Sequence, residues 1–310
     1  MSLAPIVMFV YNRADHFKKT VEALSKCNEA KDSELFIFSD GAKNSENESK
    51  VQAVRNEIKE LQKQNLFHNI TVFESPVNKG LAKSVIDGVT EIINRFGKVI
   101  VVEDDSVTDK SFLSFMNLCL DYYKDENRVG SVAGYTPVLD FSPDYNYDVF
   151  FSYRSCSSAW ATWQDRWQSI DWELNEISDF YKSPALIQKL NLNGSDRFIR
   201  LYRQTKGNGS SWSVRFGAHL VKNDYLTVYP KYSYVMNIGC DESGVHSTTD
   251  DAKRMYVDLN NAISSPKMVD VFIDNDIQKL LKKHYSYGFV SDVKKFLYTC
   301  FIVIKERLKG

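Results

Sequence analysis

Apolar and polar positions along the first hundred residues follow two alternating patterns. Short apolar runs rich in Val, Ile and Phe are typical of buried strands, and they cover residues 5–11, 35–39, 70–74 and 99–102. The stretches between them carry apolar side chains at helical spacing, which predicts helices at about residues 15–25, 45–64 and 81–96. Strands and helices that alternate in this way form βαβ units. The pattern therefore predicts an α/β protein with a mainly parallel sheet flanked by helices.

A polar cluster follows each of the four predicted strands. The carboxyl ends of parallel strands meet at one edge of a sheet, where open α/β sheets bind their ligands. We therefore expect the four clusters to form one site. They are Asn12-Arg13, Ser39-Asp40-Gly41, Asn78-Lys79-Gly80 and Glu103-Asp104-Asp105.

The last of these clusters places three carboxylates directly after the apolar run at residues 99–102. Carboxylates cannot follow a strand into the core, because an unpaired buried charge is costly. Three acids at a strand end repel one another unless a cation neutralises them, and hard divalent ions such as Mg²⁺ or Mn²⁺ prefer oxygen ligands. The alternative is a solvated acidic turn that caps a helix beginning near Lys110.

The second half of the chain, from about residue 135 to 234, is rich in aromatic residues. Large aromatic side chains are most often part of the core. Trp160 and Trp212, however, have Gly, Ser, Asn and Arg as neighbours, and a rigid apolar platform of this kind also suits the binding of a sugar or a base. Both interpretations remain open for these two residues.

A loop at residues 237–248 concentrates Asp241, Glu242 and His246 around two glycines. A single histidine is more often a structural residue than a ligand. Close to carboxylates on a loop, His246 is nevertheless a candidate for an additional contact to a metal or a phosphate.

Composition excludes several classes of protein. The 310 residues contain 43% hydrophobic and 25% charged residues, as in ordinary globular proteins, and a net charge of −1 gives no support to a nucleic-acid partner. Five dispersed cysteines argue for a reducing compartment. The first strand begins too early to leave room for a secretory signal peptide, and no apolar run reaches about 18 residues. We therefore expect a cytoplasmic protein without membrane spans.

The C-terminal segment, residues 261–310, is predicted to be helical. Its end, at residues 293–310, mixes a dense apolar stretch with five Lys and Arg residues. One interpretation is a helix packed on the domain. The other is a basic amphipathic helix that lies on the anionic inner face of a membrane, as a peripheral contact.

The order of these motifs, together with WATWQDRW at residues 160–167 and NIG followed by SGVH after residue 236, resembles the GT-A glycosyltransferases over roughly residues 4–250. Within that family it is most similar to a bacterial branch related to N-acetylglucosaminyltransferase I. The resemblance implies a GT-A domain at residues 1–260. Its nucleotide-sugar-binding half would cover residues 1–134 and its acceptor-binding half residues 135–260.

The resemblance also implies roles for individual residues. The acidic triplet stands where the family has its DXD-type motif, which implies that Asp105 is a metal ligand and that Asp104 contacts the ribose or the metal. Other residues at matching positions would contact the nucleotide or its phosphates, and they are Arg13, Asp40, Asn78, Lys79, Gly80 and Glu103.

One departure from the family concerns the catalytic base. Relatives often place a carboxylate beside the tryptophan equivalent to Trp212, whereas the neighbours here are serines at positions 210, 211 and 213. A base is needed to deprotonate the acceptor hydroxyl. We prefer Asp241 for this role, with Glu242 and Asp165 as the other candidates.

The resemblance implies an inverting, Mn²⁺- or Mg²⁺-dependent glycosyltransferase of surface polysaccharide biosynthesis. The donor would be a nucleoside-diphosphate sugar, with UDP favoured because an Asp at position 40 can accept from a uracil imide, and the acceptor a glycan or lipid-linked glycan. Two alternatives remain open: a catalytically silent domain that binds a nucleotide or glycan, and another Mg²⁺-dependent nucleotidyltransferase. The second is disfavoured because the chain has no G-x-x-x-x-G-K-[ST] phosphate loop.

Overall fold

The computed structural model describes residues 2–241 and 255–309. Within them, eight strands form one sheet in the order β3-β2-β1-β4-β8-β6-β9-β7. The strands of this sheet are β1 (Ile6–Val10), β2 (Glu34–Ser39), β3 (Asn69–Glu74), β4 (Lys98–Glu103), β6 (Val129–Ala133), β7 (Val149–Ser152), β8 (Trp160–Trp163) and β9 (Leu226–Pro230). A separate antiparallel pair joins β5 (Ser106–Thr108) to β10 (Val235–Asn237).

Strand directions show that the large sheet is mainly parallel. The strands β3, β2, β1 and β4 pair in parallel. Strand β8 lies antiparallel between β4 and β6, so β6 runs in the same direction as β4, and β9 is parallel to β6. Only β7 joins β8 in the opposite direction among the eight strands described. The prediction of an α/β fold with a mainly parallel sheet is confirmed.

Several helices pack on the two faces of the sheet and form two large apolar clusters with it, and the other helices take part in two smaller clusters. The helices are α1 (Ala14–Ser25), α2 (Ser45–Gln62), α3 (Leu81–Phe96), α4 (Phe112–Tyr122), α5 (Gln164–Gln168), α6 (Ser178–Lys182), α7 (Pro184–Leu190), α8 (Arg197–Gln204), α9 (Trp212–Lys222), α10 (Asn275–Tyr285) and α11 (Phe289–Arg307). The four strands and three helices predicted for the first hundred residues are each present, with ends that differ by at most two residues.

The acidic triplet does not cap a helix. Strand β5 follows it immediately, and α4 begins only at Phe112, with no acidic residue in its first turn. The interpretation of Glu103, Asp104 and Asp105 as a capping turn is therefore wrong.

Both tryptophans proposed as a sugar platform lie in the core. Trp160 is 1% exposed and Trp212 is 3% exposed. Their rings stack with centroids 4.9 Å apart, and the ring of Trp167 also stacks on that of Trp160, at 5.6 Å. This packing corresponds to the core interpretation, because the rings cover one another instead of facing solvent.

The C-terminal segment contains the two helices α10 and α11, as predicted. Helix α11 packs against α6 and α8, where Ile302 and Thr299 are buried. Among the residues that the structure describes, none of the helices combines the length and the apolar character that a membrane crossing requires.

Candidate functional site

Strand register brings the predicted polar clusters to one edge of the sheet. Strand β1 lies between β2 and β4, with Val10 opposite Ser39 and Phe9 opposite Glu103. Asp40 and Asp104 therefore flank the chain that leaves β1. Since neighbouring strands lie about 4.8 Å apart, these two residues follow strands separated by roughly 10 Å.

The guanidinium of Arg13 is the cation that lies between two of the three carboxylates. Its Nη2 contacts Asp104 Oδ1 and lies 2.9 Å from Asp105 Oδ2. Asp104 is only 3% exposed and Asp105 only 6% exposed. Burial alone would lower the pKa of Arg13, but the attraction of Asp104 and Asp105 outweighs it and raises that pKa. Arg13, which the resemblance placed on the nucleotide, therefore pairs with the acidic motif.

Backbone and side-chain donors fix both aspartates in place. Asp105 Oδ1 accepts from Asn237 Nδ2 at 3.0 Å, and the Asp105 carbonyl accepts from the amide of Ile238 at 2.9 Å. The Asp104 carbonyl accepts from Thr20 Oγ1 at 2.8 Å. The acidic motif is thus tied to α1 and to the chain that follows β10.

One guanidinium does not neutralise the whole acidic cluster. Burial raises the pKa of Asp104 to about 6, although the attraction of Arg13 acts in the opposite direction. Burial and the repulsion of Asp105 and Asp104 also raise the pKa of Glu103. These shifts mean that a further positive charge would favour the ionised carboxylates.

The donor atoms of Asp105 fit a divalent ion that shares its coordination shell with a ligand. Each carboxylate oxygen has two acceptor sites, and one hydrogen bond from Asn237 or Arg13 reaches each oxygen of Asp105. In the described part of the chain, no group of three His, Cys, Asp or Glu residues is arranged to hold a metal. Mg²⁺ commonly binds through one or two carboxylates, with phosphate and water oxygens as the other ligands.

Gly239 allows the chain after β10 to approach Asp105 closely. A Cβ at this position would lie 2.1 Å from Asp105 Oδ2 and 2.8 Å from Arg13 Nη1, which is closer than any real contact.

We expect Gly239→Ala to displace the Asp105 carboxylate and to weaken the Mn²⁺-dependent binding of a nucleoside diphosphate about tenfold or more. Isothermal titration calorimetry would measure the affinity. Gly207→Ala is the control, because a Cβ there meets nothing within 4 Å, although its positive φ adds backbone strain of its own. If both variants bind the nucleoside diphosphate as the unchanged chain does, the close approach of Gly239 has no role in the site.

Asp40 organises the turn that begins α3. Its two oxygens accept hydrogen bonds from four donors, all at 3.1 Å or less, and these donors are Gly41 N, Lys79 N, Asn78 Nδ2 and Gly80 N. Gly80 has φ +77°, a conformation that favours glycine. Because these donors fill the four acceptor sites of the carboxylate, Asp40 shapes the turn and has no acceptor site left for a uracil imide.

An open cavity of about 500 Å³ adjoins this turn, between Gly41, Pro76 and the first turns of α2. This volume is within the range of small-molecule sites. The ammonium group of Lys79 lies nearby on the surface and contacts Asp87 at 3.4 Å. The cavity is therefore a space at the carboxyl edge where a nucleoside would fit.

The candidates for the catalytic base occupy different places. Asp241 lies two residues after Gly239, with its carboxylate 3.1 Å from His16 Nε2, so it belongs to the same edge as Asp105. Asp165 lies in α5, after the end of β8 that pairs with Lys98. That is the opposite edge of the sheet, so Asp165 is not brought to the site. Glu242 and His246 lie outside the described residues.

Four residues of the site were missed by the sequence analysis. They are His16, Thr20, Asn237 and Gly239. The available signal was weak: His16 lies three residues after Arg13. Asn237 and Gly239 belong to the NIG motif of the resemblance, which gives neither residue a role.

No protein-family model and no curated protein sequence matches this chain. Partial structural matches include the mannosyltransferase PcManGT from Pyrobaculum calidifontis in complex with GDP-Man and Mn²⁺, at 14% identity over 52% of this chain and 44% of that chain, with a TM-score of 0.35. They also include S. aureus TarS 1–349, at 13% identity over 74% of this chain and 59% of that chain, with a TM-score of 0.41. The complex of TarS 1–349 with UDP-GlcNAc matches at 12% identity over 74% and 57% of the two chains, with a TM-score of 0.37.

The chain thus spans about half the length of these three solved structures, between 44% and 59%. Because the TM-scores and identities are this low, the comparisons assign neither a family nor an activity to the chain.

Proposed function

We propose that the chain is a metal-dependent glycosyltransferase of the GT-A type that uses a nucleoside-diphosphate sugar. The observation that carries the proposal is the buried pair of Asp104 and Asp105 at the carboxyl edge of a mainly parallel sheet. An acidic pair in that place needs a further cation, as the raised pKa of Asp104 indicates. A metal ion bound to a diphosphate would supply this cation. Binding of the ion would also explain why the acidic pair lies at the carboxyl edge.

Three parts of the edge would each hold one part of the donor. Asp105 would hold the metal ion, which when bound neutralises the negative charge of a departing diphosphate. The cavity beside Gly41 would hold the nucleoside. The turn ordered by Asp40 would present the backbone amides that begin α3 toward the phosphates.

Asp241 remains our proposal for the base that deprotonates the acceptor hydroxyl. Its position next to the acidic motif, through Gly239 and His16, supports this role. Its carboxylate is half exposed, so an acceptor can reach it from solvent. With a base on the acceptor side, direct displacement with inversion is the expected course.

Thermal unfolding with a panel of nucleoside diphosphates tests the proposal. A ligand that binds the folded state raises Tm by mass action. We expect one diphosphate, from a panel that includes UDP and GDP, to raise Tm in Mn²⁺ and not in chelator. If no diphosphate raises Tm in either condition, the glycosyltransferase proposal fails.

A catalytically silent domain is the second candidate, because serines occupy the places beside Trp212 where relatives carry an acid. Among the described residues, Ser211 Oγ and Ser213 Oγ lie 3.2 Å apart and contact each other. Binding of a donor sugar, without its hydrolysis or transfer and with no effect of Asp241→Asn, would favour this second candidate.

We also propose that α11 lies on an anionic membrane surface, where a lipid-linked glycan acceptor would be assembled on the cytoplasmic face. A stripe of apolar side chains along α11 is exposed, with exposures from 39% at Val293 to 83% at Phe289. Such a continuous exposed patch is typical of a binding surface. The other members of the stripe are Phe296, Leu297, Phe301 and Ile304.

Basic residues make an anionic bilayer the expected partner. Successive helical residues are about 100° apart, which places Lys294 and Lys305 along one border of the apolar stripe. Both lysines are exposed. An apolar stripe bordered by lysines matches the boundary between acyl chains and anionic headgroups.

We expect the double variant Leu297→Glu/Phe301→Glu to lose at least about tenfold in binding to vesicles that contain phosphatidylserine, because two apolar anchors become charged. Co-sedimentation would measure the bound fraction, with phosphatidylcholine vesicles as the lipid control. Val77→Glu is the protein control, since Val77 is 64% exposed and lies far along the chain from α11. Equal recovery of the double variant and the unchanged chain would exclude α11 as the membrane contact.

A further inference from the structure

Two equally buried arginines differ in what surrounds their charge. Arg166 is 5% exposed and Arg197 is 6% exposed. The guanidinium of Arg166 pairs with the Asp165 carboxylate and donates to the Lys124 carbonyl at 3.0 Å. Within the described residues, the guanidinium of Arg197 makes one hydrogen bond, from Nη2 to Ser155 Oγ at 3.1 Å, and no ion pair.

A buried cation without a counterion is unfavourable for the folded state. Burial lowers the pKa of Arg197 to about 9, and repulsion by Arg154 and Arg200 adds to this effect. A residue that serves only the fold would be expected to have a carboxylate partner, as Arg166 has. Arg197 has the hydroxyl of Ser155 as its acceptor and is attracted by Asp196 without an ion pair, so an additional anion would stabilise its charge.

The backbone makes room for this guanidinium. Gly217 lies inside α9, where glycine is less favourable than alanine. A Cβ at this position would lie 2.2 Å from Arg197 Nη2 and 2.8 Å from Ser155 Oγ. Glycine is thus required at this point of the helix to keep Arg197 beside Ser155.

Two further donors lie in the same region. Arg154 and Arg197 are neighbours, because a Cβ at Gly194 would lie 2.9 Å from Arg154 Nη1 and 3.5 Å from Arg197 Cγ. The guanidinium of Arg154 donates to the carbonyl of Asn193 and lies over the ring of Tyr285, 3.5 Å from the ring centroid. The Tyr135 hydroxyl is buried and has no hydrogen-bond partner among the described residues. Asp196 is the nearby carboxylate and attracts Arg197, but neither arginine forms an ion pair among the described residues, and the Tyr135 hydroxyl beside them is free.

We propose that Arg197, Ser155, Arg154 and Tyr135 form a binding site for an anionic group, a phosphate or a carboxylate, of the acceptor molecule. Tyr135 follows β6, whose carboxyl end lies at the same edge as that of β4, because both strands pair with β8 at Trp160. The assignment of this anion to the acceptor rests on the proposed glycosyltransferase function. Anion binding itself does not.

Thermal unfolding in chelator, at constant ionic strength, tests the site with three probes: inorganic phosphate, inorganic pyrophosphate and glucuronate. We expect one class of probe to raise Tm of the unchanged chain and not Tm of Arg197→Met. An effect of phosphate and pyrophosphate would indicate that the site binds a phosphate group, and an effect of glucuronate would indicate that it binds a carboxylate. In the absence of any probe, Arg197→Met should raise Tm, because it removes an unpaired buried charge, while Arg166→Met should lower it.

Tyr135→Phe provides a second variant that keeps the core intact, because the hydroxyl has no hydrogen bond to lose within the described part of the chain. We expect it to weaken binding of the active probe about fivefold, as the loss of one hydrogen bond would. The proposal is overturned if the probes raise Tm of the unchanged chain and of Arg197→Met equally, or if no probe acts and Arg197→Met lowers Tm as Arg166→Met does. Stabilisation by a nucleoside diphosphate with Mn²⁺, measured on the same samples, reports separately on the proposed function.

Discussion

Asp105→Asn is expected to reduce Mn²⁺-dependent affinity for the nucleoside diphosphate at least about 100-fold, and sugar transfer with it. An amide has the size of the carboxylate and can still accept the hydrogen bond from Asn237, so the fold should be retained. It lacks the negative charge that a divalent ion requires, and its NH₂ group would face the guanidinium of Arg13. Calorimetric titration with and without Mn²⁺ measures the affinity.

Asp125→Asn is the matched control for this experiment. Asp125 is exposed in the turn after α4, and its substitution changes the net charge by the same amount. We expect it to leave both affinity and transfer unchanged. If Asp105→Asn binds the diphosphate and Mn²⁺ as tightly as the control does, the metal is not held at the end of β4.

The first four strands and the three helices between them were predictable, because the spacing of hydrophobic residues alone distinguishes strands from helices in this part of the chain. Helix α3 is the clearest example: its predicted and observed limits coincide, since an amphipathic pattern ends at glycines with positive φ on both sides, Gly80 and Gly97. Strand β8 was not predicted as a strand. Its sequence WATW has no alternation, and its antiparallel place between β4 and β6 depends on contacts far along the chain.

The location of the candidate site was also predictable, because parallel strands place their carboxyl ends at one edge. The pairing of charges within it was not. Arg13 was expected to contact a phosphate, yet it lies against Asp104 and Asp105, since side-chain reach decides which charges meet. Asn237 and Gly239 lie more than 130 residues after the motif that they support, and no spacing rule connects such distant positions.

The ion pairs of Arg13 with Asp104 and Asp105 affect how a metal ion would bind at this site. The guanidinium already occupies one oxygen of Asp105 and one of Asp104. A divalent ion would be attracted by the same two carboxylates, and its positive charge would weaken their attraction for the guanidinium. Arg13 would hold the acidic motif together in the absence of the metal and would turn toward the phosphates of the donor when the metal binds.

Arg13→Met should therefore lower the stability of the chain in chelator and increase the stabilisation that Mn²⁺ provides. In chelator, two buried carboxylates lose their partner, and we expect a loss of roughly 3 kcal/mol in the free energy of unfolding. In Mn²⁺ without nucleotide, the ion takes the place of the guanidinium, so Mn²⁺ should raise Tm of the variant more than it raises Tm of the unchanged chain. Thermal unfolding of both proteins, with Mn²⁺ and with chelator, measures the two effects.

The pH dependence of stability in chelator provides a second test. Since the pKa of Asp104 in the folded chain is raised to about 6 from its usual 3.8, protonation favours the folded state as pH falls from about 6 toward 4. Loss of Arg13 raises this pKa further, so the variant should recover stability relative to the unchanged chain when the pH is lowered.

Arg55→Met is the control for the rescue by metal. Arg55 lies at the same edge, but it contacts Glu74 and the carbonyl of Ser75 instead of the acidic motif. It should lose stability without any rescue by Mn²⁺, because no pair of buried carboxylates is left free. If Mn²⁺ stabilises Arg13→Met no more than Arg55→Met, then the guanidinium and the metal do not share the carboxylates of Asp104 and Asp105, and a metal site at the end of β4 loses its electrostatic basis.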